Sequence, residues 1–212
     1  MNNPMIKNGL ILALFAMVCT GVVAFVDKLT AERIAEQKKA QRLKVLQQII
    51  PQSLHDNVLT EHCTLVYEPN VLGSDEALPA FIATTHDKPT AIALEVIAPD
   101  GYNGAIKLTM AVNNQNELLG VRTLTHNETP GLGDKIMLSK SDWVNFFTDK
   151  PIIDTNKKDW KVKKDGGVID QFSGATITPR AYAKAVSKAS LYLRDNFDKI
   201  SRQTRTCEDT NG

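Results

Sequence analysis

The segment Asp170-Gln171-Phe172-Ser173-Gly174-Ala175-Thr176 holds the residues of this chain best suited to chemistry. Ser173, Gly174 and Ala175 leave the backbone bare beside the Thr176 hydroxyl, and the carboxylate of Asp170 stands a short way upstream. A threonine hydroxyl is a weak nucleophile until a base or a metal activates it. No serine–histidine–aspartate arrangement accompanies this one, so the sequence offers no catalytic residue by which the chain would activate it. The next residues, Ile177-Thr178-Pro179-Arg180, read as a helix start. Thr178 suits the N-cap, Pro179 suits the first helical position, and Tyr182, Val186, Ala189, Leu193 and Phe197 recur at helical spacing. That reading accounts for Thr178 and Pro179 but not for the small residues before Thr176.

A second constellation is His126-Asn127-Glu128-Thr129-Pro130-Gly131-Leu132-Gly133. Pro130-Gly131 has the composition of a type II turn, and paired glycines permit a tightly curved loop. Taken alone it is a turn, because glycine pairs are too common to signify phosphate binding. His126 has no evident titratable partner and reads as structural. Asp100-Gly101-Tyr102-Asn103-Gly104 has hairpin-loop composition. Lys163-Lys164-Asp165-Gly166-Gly167 reads first as a solvated turn, with phosphate contact by the lysines as the alternative.

The elements that must position these loops follow from periodicity. Cys63–Tyr67 and Ala80–Thr84 have strand character, and Ala91–Ala98 is apolar throughout except for Glu95. Ile106, Leu108, Met110 and Val112 alternate onto one face of a strand, and a further strand is expected over Glu117–Leu124. Helices are expected over Ser141–Thr148 and Pro179–Ile200. The fold class is therefore α+β, an antiparallel sheet packed by helices.

Ahead of this domain, Gly9–Val26 is an uncharged apolar run, long enough to span hydrocarbon. We read residues 9–26 as a transmembrane helix, with 1–8 on its cytoplasmic side. A cleaved signal peptide is the competing reading, since Val22-Val23-Ala24 resembles a weak cleavage site. Residues 27–51 continue as a polar helical stalk that Pro51 ends, leaving 52–212 as the folded domain. Lys28, Arg33, Lys38, Lys39, Arg42 and Lys44 follow the span while only Lys7 precedes it, which taken literally would keep the domain inside the cell. Large C-terminal domains cross regardless of such charges. Cys63 and Cys207, the two cysteines outside the span, could form one disulfide in an oxidising compartment or be unrelated buried thiols. With 25 Lys plus Arg against 24 Asp plus Glu in 212 residues, there is no basic stripe of the kind that binds nucleic acid. No cysteine or histidine spacing builds a metal site.

Asp170-x-x-Ser173-Gly174-Ala175-Thr176 resembles the acceptor motif of FMN-binding domains, where a flavin transferase joins FMN through its phosphate to the final threonine. Glu128-Thr129-Pro130-Gly131-Leu132-Gly133 resembles the stretch that such domains place against the flavin. With the N-terminal span and stalk, the whole chain resembles the family of G subunits of the Rnf (Rsx) ion-translocating electron-transport complex. The C subunit of the sodium-pumping NADH:quinone oxidoreductase is the nearest alternative. A non-catalytic assembly protein of the membrane, in which the Thr176 motif is only a helix start, is another.

The resemblance implies covalent FMN on Thr176, with Ser173, Gly174 and Ala175 around it. It further implies that Glu128, Thr129, Gly131 and Leu132 line the isoalloxazine pocket, with Tyr102 stacking nearby and Asp170 serving recognition by the transferase. By the same resemblance the protein is a redox carrier rather than a stand-alone enzyme, held in the bacterial inner membrane with its domain in the periplasm. Its partners would be the other Rnf subunits and, during maturation, the transferase.

Overall fold

In the computed structural model, described over residues 4–152, 158–203 and 207, the chain divides into two compact units, Met1–Arg42 and Leu43–Gly212. Helix α1, Pro4–Ile49, is continuous across the boundary between them. Neither proline nor a left-handed cap interrupts it until Pro51, which cannot extend a helix.

In the first unit the side chains of α1 are exposed, including Leu10, Leu14, Phe15, Met17, Val23 and Phe25. This is the one helix among the described residues that is long and apolar enough to cross a membrane, with a mean hydropathy of 2.6 over its best window. Thr20, the polar residue inside the run, donates its hydroxyl to Ala16 O at 2.8 Å. That back-bond satisfies the hydroxyl without a partner from outside the helix.

The second unit is a six-stranded antiparallel meander in the order β1-β2-β3-β4-β5-β6. The strands are β1 Cys63–Val66, β2 Leu78–Thr85, β3 Lys88–Ala98, β4 Ile106–Asn113, β5 Glu117–Thr125 and the short β6 Lys150–Pro151. A single-turn helix, α2 Pro69–Leu72, lies between β1 and β2. The β2–β3 hairpin turns on His86 and Asp87, both at positive φ, the geometry of a tight two-residue loop. The expected alternation holds: Ile106, Leu108, Met110 and Val112 share the face that packs α3, Ile177–Ser201. From α3, Tyr182, Val186, Ala189 and Leu193 meet that face and are fully buried, each large apolar side chain contributing about 1.5–3 kcal/mol.

The opposite face carries Phe81, Ala83, Ala91, Ala93 and Ala111, and receives Leu46, Ile49 and Ile50. Small residues there let a helix backbone approach the sheet, and a Cβ on Gly120 would stand 3.3 Å from the Ile49 side chain. The last turns of the segment read as stalk thus pack into the domain core.

One expected helix takes another form. Residues Asp142–Phe147 make a 3-10 helix, with the Ser141 hydroxyl capping Trp143 N–H. Its value lies in the rings it delivers. Trp143 lies edge-to-face with Phe147, Phe172 and Tyr182 at centroid distances of 5.4, 5.2 and 5.4 Å. Such pairs add about 0.5–1.5 kcal/mol each beyond their buried area.

Candidate functional site at the start of the C-terminal helix

The Thr176 motif is held from below by that aromatic cluster. Phe172 is buried within it, and the Trp143 indole N–H donates to Asp170 O at 2.6 Å. Between these anchors and the helix, Phe172–Ala175 closes a turn through Ala175 N–H to Phe172 O at 3.1 Å, with Gly174 at φ +79°. A side chain at Gly174 would be strained in that conformation. The turn lifts Ser173 and Gly174 into solvent and leaves Thr176 half-buried.

Helix α3 begins two residues earlier than its sequence implies. Thr176, not Thr178, occupies the N-cap position, and its side chain makes no capping hydrogen bond. Its backbone is already right-handed helical, at φ −77° and ψ −27°, whereas a capping side chain works from extended backbone. Pro179 falls in the first turn, where its missing N–H would have had no helical partner anyway. The Thr176 hydroxyl therefore stands uncommitted at the positive end of a 25-residue helix.

Thr178 is instead buried, and its hydroxyl donates to Glu128 Oε2 at 2.5 Å. Glu128 is itself 4% exposed, and its other oxygen accepts from Asn103 N–H at 3.3 Å. The Glu128 carboxylate, which the resemblance places in the lining of the isoalloxazine pocket, thus has both its oxygens engaged by the protein itself. Its neighbours explain two glycines. A Cβ on Gly133 would lie 2.7 Å from Glu128 Oε2, and one on Gly101 would lie 2.8 Å from Oε1. His126 is structural, its Nδ1 accepting from Glu128 N–H at 3.1 Å.

Thr129–Leu132 forms the expected turn, closed by Leu132 N–H to Thr129 O at 3.1 Å, with Gly131 at φ +78°. Leu132 is exposed and leans toward the Thr176 motif: a Cβ on Gly174 would meet its Cδ2 at 3.7 Å. Tyr102 projects into solvent from the loop that Asn103 secures, with Asn103 Nδ2–H donating to Asn127 O at 2.7 Å. Asp100 of the same loop pairs with Lys184 of α3 at 2.5 Å, an ion pair that holds the Asp100 carboxyl below the ordinary carboxylate range. The Asp100, Glu128 and Thr176 segments, far apart in sequence, thus converge on one edge of the domain.

The lysine-rich segment is a turn, with Gly166 in the left-handed region as its cap. It is wired to the motif by two ion pairs. Lys163 Nζ meets Asp170 Oδ1 at 2.5 Å, and Arg180 grips Asp165 through two bonds of 2.6 and 2.8 Å. The bond from Arg180 holds the Asp165 carboxyl below its usual range, and Lys161 and Lys164 act in the same direction. The Asp170 carboxylate remains exposed while its backbone is pinned. Cys63 and Cys207 are joined as a disulfide, their Cα atoms 5.5 Å apart, which ties the end of the chain to edge strand β1. No group of three or more metal-ligating side chains occurs among the described residues.

The FMN-binding domain family matches residues 101–190, the stretch that holds β4, β5, the glycine turn and the first half of α3. The family described as the RnfG N-terminal region matches residues 1–49. A relative from Shewanella oneidensis, named as the G subunit of the ion-translocating oxidoreductase complex, is 56% identical over 98% of both chains. One of the same name from Vibrio parahaemolyticus is 51% identical over 97% of both. Among solved structures, the crystal structure of Shewanella oneidensis NqrC covers 73% of this chain and 75% of its own, at 18% identity and a TM-score of 0.44. The chain belongs to the family of G subunits of the ion-translocating oxidoreductase complex.

Proposed function

We propose that this chain is the membrane-anchored electron-transfer subunit of an ion-translocating oxidoreductase complex, carrying FMN joined through its phosphate to Thr176. The observation that carries the reading is the Thr176 hydroxyl. It is half-buried and makes no capping hydrogen bond, at the N-terminus of α3. A phosphate on that oxygen would sit at the N-terminus of α3, where the first backbone N–H groups lack helical partners and the dipole is positive. Attachment from a flavin dinucleotide donor would form the Oγ–P bond and break the P–O bond of the donor's diphosphate, with the nucleoside monophosphate leaving and the Oγ proton passing to a base of the transferase. When bound, the flavin supplies reversible electron uptake and release. Ser173, Gly174 and Ala175 give the transferase access to the backbone, and the exposed Asp170 carboxylate is what it recognises. Thr129, Gly131 and Leu132 present the ring-side surface, with Tyr102 at its margin.

We further propose that residues 9–26 cross the bacterial inner membrane, that 1–8 lie in the cytoplasm and that the domain faces the periplasm, where the Cys63–Cys207 disulfide is stable. Residues 1–3, 153–157, 204–206 and 208–212 in these spans lie outside the described residues. The other subunits of the complex are the redox partners. The protein's own part is to tether the cofactor, orient it and exclude wasteful side reactions. Denaturing electrophoresis of protein made with its transferase tests the attachment. Yellow fluorescence should travel with the wild-type band and vanish in Thr176→Val, and a dark wild-type band would reject the covalent flavin.

A further inference from the structure

We propose that Glu128 is a positioning residue: its buried carboxylate clamps the start of α3 to the glycine turn and to the Asp100–Gly104 loop, and so fixes how a group tethered at Thr176 lies. This rests on the reading of Thr176 as the flavin carrier.

Three observations carry it. First, the carboxylate accepts from two different segments, Thr178 Oγ1 at 2.5 Å and Asn103 N–H at 3.3 Å, while its own backbone belongs to a third. Second, the protein reserves space for it, since a Cβ at Gly101 or Gly133 would intrude on its oxygens at 2.8 and 2.7 Å. Third, Glu128 is almost wholly buried and Thr178 completely so, and taking a carboxylate out of water costs several kcal/mol before its partners offset it. An apolar residue at that place would leave the Thr178 hydroxyl buried without its acceptor. What a carboxylate adds is directional acceptance at two points, which sets the spacing between the loops.

That spacing matters for a covalent cofactor. A phosphodiester tether holds one end and leaves a chain of rotatable bonds free, so the ring's orientation depends on where the ring-side turn sits relative to Thr176. Gly131 and Leu132 lie on that turn. Thr178 lies two residues past the tether. Glu128 links the two. Glutamine can keep both bonds, its carbonyl accepting from Asn103 and its amide donating to Thr178, because a hydroxyl both donates and accepts. Alanine keeps neither.

The test uses the full chain matured with a flavin transferase, comparing wild type with Glu128→Ala, Glu128→Gln, Thr178→Val and Thr178→Ser. Loading is read from intact mass, and ring orientation from the flavin's visible circular dichroism and fluorescence anisotropy. The clamp predicts that Glu128→Ala and Thr178→Val carry flavin but lose most of both signals, and that Glu128→Gln and Thr178→Ser retain them. A loaded Glu128→Ala protein with wild-type dichroism and anisotropy overturns the clamp, as does Glu128→Gln behaving like Glu128→Ala. A second readout needs no flavin. In a Thr176→Val background, Thr178→Val should speed amide exchange over residues 127–133 by about tenfold while β3 and β4 stay protected. Unchanged exchange there overturns the clamp even if an alanine variant fails to fold. An unloaded wild type with fast exchange in Thr178→Val would reject the Thr176 reading and leave the clamp standing.

Discussion

The Thr178 hydroxyl donates to Glu128 Oε2 at 2.5 Å, although 50 residues separate the two in sequence. One short bond thus joins the helix that carries Thr176 to the glycine turn. Gly133 sits inside this contact, where an added methyl would meet Glu128 Cβ and Thr178 Oγ1, both at 2.9 Å. Gly133→Ala should destabilise the domain by about 1–3 kcal/mol, the usual cost of overpacking. Urea unfolding measures this, and a midpoint equal to wild type would show that the contact yields freely.

The Asp165–Arg180 pair predicts a pH dependence with a definite sign. Asp165 titrates below its ordinary range when folded, so the unfolded chain binds more protons than the native state between the two values. Its stabilising contribution is present above the ordinary carboxylate pKa of about 4 and is lost as pH falls through the lowered value. The stability gap between wild type and Asp165→Asn should therefore narrow on acidification. A gap constant from neutral to acid pH contradicts the pairing.

The disulfide closes a loop between residues 144 apart in sequence. Cys63→Ser or Cys207→Ser should cost about 2–5 kcal/mol, and reductant should lower the wild-type unfolding midpoint but not that of either variant. The same reading of compartment predicts that a reporter fused after Gly212 is active outside the cytoplasm and inactive within it. Reporter activity in the cytoplasm would reverse the orientation.

Asp170 combines an exposed carboxylate with a backbone pinned by Trp143. Asp170→Ala removes only the ion pair with Lys163, a surface contact worth about 0–1 kcal/mol. The variant should fold normally, with the circular dichroism of wild type in the far ultraviolet, and carry no flavin. Full loading would remove Asp170 from transferase recognition.

The strands and the long helices are legible in the sequence because their apolar periodicity matches their burial. Ile106, Leu108, Met110 and Val112 announce the α3-facing side of β4, and Tyr182, Val186, Ala189 and Leu193 announce the answering face of α3. Local turn chemistry is equally clear at Pro130-Gly131. The two motifs that meet at Leu132 and Gly174 can be named from sequence, but not their contact, which depends on how the loop after β5 returns to the start of α3. Thr178 reads as a cap because an N-cap and a buried hydroxyl two residues further in look alike in sequence. Only the position of Glu128 decides between them. Trp143 and Asn103 give no signal at all, since each acts through groups of a distant segment. Residues Asp142–Phe147 have enough apolar content for an α-helix, yet they form a 3-10 helix that turns Val144 and Phe147 inward.

The central claim, that Thr176 carries the flavin, is tested most directly by the intact mass of protein matured with its transferase. The account predicts a mass above that of the polypeptide by one FMN less one water, with the adduct mapping to the peptide containing Thr176 and absent from Thr176→Val. Matured wild-type protein weighing no more than its polypeptide chain would contradict it.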